Sequence, residues 1–202
     1  MTDRNQTLRD DIAFMRSLAQ AGRDRPMLGG SILLMCGLVF GSASLLVWYL
    51  SAIQGLGGRL YLTVWGAAFV AFLLMLFPLI RALPRHGGAY QVAVGMAWSA
   101  VGMAIFFIWI SLMLLSAKLE LPHLMVVFPS VLMALYGGIW WLGATLLRQR
   151  WLQVVAYGSF AMALVNAWYA DSPAIWLVYG LSLLALLAAP GAVLMRQARR
   201  AG

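Results

Sequence analysis

Few residues of this chain carry groups suited to chemistry: one cysteine, two histidines, six acids and a single lysine among 202 residues. A metal or haem site needs clustered His, Cys, Asp or Glu ligands. His86 and His123 are separated by an apolar stretch long enough to cross a bilayer, so they cannot share an ion within one subunit. Cys36 stands alone, which excludes an internal disulfide and reads as a packed small residue. Ser42 and Ser159 follow glycines, but neither has a His or Lys at comparable depth to act as a base. The sequence holds no phosphate-binding loop, no zinc spacing and no lysine placed for a Schiff base. The expectation is a protein without cofactor, metal or catalytic residues. A membrane enzyme acting on lipid is a distant alternative, since it would need a base that the sequence does not supply.

Two polar groups remain. Lys118, Glu120, His123 and Asp171 lie at the ends of apolar segments on one side of the membrane. A histidine between carboxylates titrates near neutral pH and could sense protons or cations; solvated residues at helix ends are the plainer reading. The second group is Asn166, an amide inside an apolar segment, with Pro129, Ser130 and Tyr179. Proline removes a backbone donor, and broken helices at membrane depth build the central sites of many transporters. These four residues are the candidate pocket for an apolar or neutral solute. Against that stand an ordinary kink at Pro129 and an Asn166 that bonds across to the helix of Tyr179 or Ser130.

The elements that position these residues follow from hydropathy. Side chains are 63% hydrophobic and 10% charged, where soluble chains carry about 25% charge; the mean hydropathy is +0.87. Six segments reach the roughly 20 apolar residues that a bilayer core of about 30 Å requires. They run over 28–52, 60–79, 90–116, 121–147, 151–170 and 173–195, and none contains Asp, Glu, Lys or Arg. The predicted fold is therefore all-α: a polytopic membrane protein of six transmembrane helices arranged as three hairpins. Twelve of the 14 cations fall on the side of the two termini, and only Arg59 and Lys118 on the other. The positive-inside rule puts both termini in the cytoplasm. The net charge of +8 thus reports topology, and no nucleic-acid partner is expected. Trp48, Tyr49, Tyr61, Trp65, Trp168, Tyr169 and Trp176 fall near the outer interface as an aromatic belt.

The three hairpins share a faint echo. The first helix of each holds a glycine with an aromatic residue ten or eleven positions later, at Gly37, Gly95 and Gly158. Gly37 and Gly41 form a GxxxG pair, the spacing that lets helix backbones approach in lipid. It serves packing within the bundle or, alternatively, a homodimer through the first helix. Pro78, Pro129 and Pro190 interrupt helices or their ends.

Residues 1–26 form a cytoplasmic arm with an amphipathic helix over about 7–24. Thr7 and Asp10 make a variant of the capping box, and Leu8, Ile12, Met15 and Leu18 line one face. Asp10, Asp11 and Asp24 offset Arg9, Arg16 and Arg23, so attraction to anionic lipid is diluted. The helix lies on the membrane or docks on a cytosolic or membrane protein through that face. Residues 27–196 are the membrane domain, and 197–202 a basic tail.

Three hairpins, cytoplasmic termini and a glycine-rich first helix, Leu28-Gly-Gly-Ser-Ile-Leu-Leu-Met-Cys-Gly37, make residues 28–196 resemble the small six-span bacterial inner-membrane proteins that include the HdeD-like acid-resistance proteins. The resemblance implies a non-enzymatic membrane role. The arm is not part of that pattern. The reading that follows is a scaffold or regulatory subunit that engages its partner through the arm, with a small solute transporter or channel as the alternative.

Overall fold

The computed structural model describes residues 29–55, 59–82 and 89–201. Leu8, Ile12, Met15 and Leu18 lie outside these residues, as does His86. Among the described residues the chain is all-helical. Helix α1 (Gly30–Trp48) starts after Gly29, at φ 102°, and ends in a π-turn, Tyr49–Ile53. Helices α2 (Arg59–Ala82) and α3 (Ala89–Leu119) follow. A 3-10 turn (Pro122–Val127) leads into α4 (Phe128–Leu147), and α5 (Arg150–Trp168) comes next. The last rod is α6 (Ala174–Leu183), a π-turn (Leu184–Ala188) and α7 (Ala189–Ala201).

Among the described residues five helices are long and apolar enough to cross a membrane: Gly30–Ile53, Leu60–Arg81, Val92–Leu119, Leu124–Leu147 and Ala174–Arg200. A multi-pass membrane protein is the architecture they support. Helix α5 falls outside this group because Arg150, Gln153 and Asn166 lower its hydropathy. Its buried stripe, Leu152, Ala156, Ser159, Ala163 and Asn166, keeps strict helical spacing, while Val154, Tyr157, Leu164 and Trp168 are exposed.

The packing is not a row of three sequential hairpins. Helix α1 lies along the whole last rod, α6 through α7, and α4 pairs most closely with α5. The α5–α6 contact is slight. Helix α2 leans on α1, and α3 leans on α4. Ala68 is the buried side chain of α2 and Val94 that of α3 among the described residues. The glycines of the hairpin echo sit in three different settings. Gly37 is jammed against Ala188, Gly158 faces Leu186, and Gly95 faces open space.

Small residues explain the α1 contact. A Cβ on Gly37 would meet the backbone of Ala188, and one on Gly30 would lie 2.8 Å from Gly191 O. Gly41 faces Leu184, and Gly180 faces the Gly41 carbonyl. The Gly37–Gly41 face is thus filled from within the chain. Two copies meeting through it would have to displace the last rod.

Some boundaries differ from the hydropathy reading. Pro129 sits in the first turn of α4, where a missing N–H costs nothing, so it makes no break at depth. Pro78 is carried inside α2. Helix α7 continues past Met195 through Arg196, Arg199 and Arg200, where cations suit the negative end of a helix dipole.

The seam yields a matched test. Gly37→Ala should lower stability in detergent by about 1–3 kcal/mol through overpacking. Gly66→Ala, where a Cβ meets nothing within 4 Å, should cause no loss. Similar thermal midpoints for the two variants would show that the seam is not close-packed.

Candidate functional site

The chain buries few polar side chains in its interior: Ser44, Ser159, Asn166 and Ser182 among the described residues. A hydroxyl inside an apolar helix commonly donates to the carbonyl one turn back. Ser159 does so to Val155 O at 2.9 Å, and Ser182 to Val178 O at 2.7 Å. The Asn166 amide uses the same device, Nδ2 donating to Met162 O at 2.7 Å. That bond fixes which way the amide points, since its oxygen could not face a carbonyl.

Of the candidate pocket residues, Ser130 on α4 reaches α5 and Asn166 on α5 reaches α6. Ser130 Oγ donates across to Ala163 O at 2.8 Å. Asn166 Nδ2 reaches Ser182 Oγ at 3.5 Å, the outer limit of a bond, on the helix that carries Tyr179. Pro129 is fully buried. A cavity of about 10 Å³ beside Val47 and Tyr61 and a groove of about 400 Å³ between α1, α2 and α7 are lined by other residues. Among the described residues four buried side-chain atoms keep no partner: Asn166 Oδ1, Ser44 Oγ, Trp98 Nε1 and Gln197 Oε1.

Aromatic rings fill the rest. Trp65 of α2 lies 6.3 Å from Phe40, 5.7 Å from Trp176 and 6.3 Å from Tyr179, ring centre to ring centre. Tyr61 meets Trp176 at 6.0 Å. These belt residues therefore pin α2 to α1 and α6 through their rings, whereas Trp168 stands 82% exposed. On the other side of the core Trp98 meets Trp140 edge-on at 5.0 Å and Tyr136 at 6.1 Å. The Tyr136 hydroxyl and the Cys36 thiol lie near each other in the interior, with Tyr179 close by.

Trp140 has a further role that sequence reading missed. Its indole Nε1 donates to Leu186 O at 3.1 Å. Pro190, four residues after Leu186, has no N–H to give to that carbonyl. The tryptophan supplies the donor that the proline lacks, and ties α4 to the π-turn of the last rod. The available signal was Pro190 itself: a proline inside an apolar helix frees a carbonyl that lipid cannot satisfy.

No group of three or more His, Cys, Asp and Glu side chains comes together among the described residues. The group of Lys118, Glu120, His123 and Asp171 includes a side chain, that of His123, that lies outside the described residues. No protein-family model, curated protein or solved structure matches the chain.

The capped carbonyl can be tested by a double-mutant cycle. Trp140→Phe should cost about 1–2 kcal/mol by orphaning Leu186 O. In a Pro190→Ala background, which restores a backbone donor, the same change should cost less than half as much. Equal losses in both backgrounds would refute the pairing.

Proposed function

We propose that the chain is a non-enzymatic, six-span protein of a bacterial cytoplasmic membrane, with both termini in the cytoplasm. It acts as a scaffold or regulatory subunit whose residues 7–24 engage a cytosolic or membrane protein. The observation that carries this reading is how the chain uses its surface. Helices α2 and α3 are apolar spans with a single fully buried side chain each among the described residues, so they turn the larger part of their perimeter outward. The Ser130, Ser159 and Ser182 hydroxyls and the Asn166 amide nitrogen are meanwhile spent on neighbouring carbonyls. Such a chain offers more to neighbours around it than to a solute passing through it. The arm adds a capped apolar face, Leu8, Ile12, Met15 and Leu18, suited to a partner's groove.

In the six-span arrangement α5 crosses the membrane although it is the least apolar helix. Its polar residues Ser159 and Asn166 face the core, and its exposed stripe is apolar. The second reading, a small carrier for a neutral solute, draws on one feature: a buried acceptor, Asn166 Oδ1, and a buried donor, Ser44 Oγ, both without partners.

A photo-cross-linking residue at Met15, used in intact membranes, tests the first reading. It should give one discrete protein adduct, lost when Leu8 and Ile12 become Asp while membrane insertion is unchanged. Adducts to lipid alone, or an adduct indifferent to those charges, would overturn it. An adduct that survives those charges but is lost in Asn166→Leu would likewise remove the arm from the account. Alkaline phosphatase fused after Asp171 should be active and fused after Gln149 inactive; the opposite pattern would remove α5 from the spans.

A further inference from the structure

The groove between α1, α2 and α7 has a volume of about 400 Å³, within the range of small-ligand sites. Its walls include Leu34 and Leu38 from α1, Met75 and Leu79 from α2, and Met195 from α7. Leu38 and Met75 are each 49% exposed, so the groove opens sideways, toward the membrane core. From Ser31 to Val39 the α1 wall rises about 12 Å, close to the roughly 15 Å of one leaflet's hydrocarbon.

Charge marks one end of it. Arg199 follows Met195 by four residues, on the same helix face and about 6 Å nearer the end of the chain. Both Arg196 and Arg199 are exposed. The rim therefore carries cations at the depth where lipid headgroups begin, beneath an apolar trough one leaflet deep. We infer that this groove binds one anionic phospholipid, an acyl chain lying along Leu38 and Met75 and the phosphate at Arg196 and Arg199. A lipid tail suits the sideways opening better than the arm does. Arg9, Asp10, Asp11 and Arg16 stand within the arm's sequence, and charged side chains are costly at that depth.

The test uses the full chain in neutral detergent, with phosphatidylglycerol and phosphatidylcholine of identical tails, read by native mass spectrometry. Wild-type protein should retain one phosphatidylglycerol per chain in preference to phosphatidylcholine. Arg196→Gln with Arg199→Gln should reduce that preference by about 5-fold for each arginine. Arg148→Gln with Arg150→Gln, on the α4–α5 turn, should leave it unchanged. Leu38→Trp, which fills the trough, should lose both lipids alike while its lipid-free thermal midpoint holds. Equal retention of the two lipids by the wild type would overturn the inference, as would full retention in Leu38→Trp. So would lipid retention that rises several-fold when residues 2–25 are deleted, which makes the arm the occupant, or a wild-type dimer that Leu38→Trp dissolves, which makes it a second copy. Should Leu38→Trp fail to fold, the two arginine pairs decide: a preference equally reduced by both is general electrostatics, and the site is refuted.

Discussion

Close backbone contact between the first helix and the last rod is the constraint on which the rest of this structure hangs. Lipid tails are as apolar as leucine, so helices inside a bilayer gain little from hiding apolar surface. What holds them is van der Waals contact at short range, and only residues without bulk allow it. Along α1, Gly30, Gly37 and Gly41 meet Gly191, Ala188, Leu184 and Gly180. The seam brings the start of the chain onto its end. The other helices attach to that pair: α2 through the rings around Trp65, and the α4–α5 pair through Trp140 and Leu186 O, with α3 leaning on α4.

The interior polar groups fit the same economy. A buried hydroxyl that bonds its own helix needs no partner across the bundle, so it tolerates packing without directing it. The cross-helix bonds are few among the described residues: Ser130 to Ala163 O, Trp140 to Leu186 O, and the long Asn166–Ser182 contact. Together they tie α4 and α5 to each other and to the last rod, which the glycine seam holds against α1. The trough beside α1 arises where α2 leaves the last rod uncovered, which is how a tightly packed chain comes to hold a lipid-sized groove at its edge.

Hydropathy made the helices legible, because lipid leaves a chain little choice once about 20 apolar residues run together. Which helix meets which was not legible. Gly37 and Gly41 announce close contact, yet the spacing is identical whether the partner is the last rod or another copy. Sequence adjacency suggested pairing α5 with α6, while the buried stripe of α5 turns mainly to α4. Pro129 read as a break because its distance from the helix start is set by the 3-10 turn of Pro122–Val127, which hydropathy does not register. Asn166 was legible as a residue that must bond to its surroundings. Its actual partner, the carbonyl one turn back, depends on a rotamer that no sequence pattern encodes. Trp140 looked like any core aromatic until Pro190 was placed beside it in space.

The closure of the chain on itself can be measured directly. Leu184 Cγ lies 2.9 Å from the point where a Cβ on Gly41 would stand, so Gly41→Cys with Leu184→Cys places two thiols within the reach of a disulfide. The pair belongs in a Cys36→Ser chain with a protease site inserted between residues 83 and 88, oxidised in membranes and then cut. The account predicts that the two fragments of one chain stay joined until a reductant is added. Fragments that separate, or that are joined only between two chains, would contradict it.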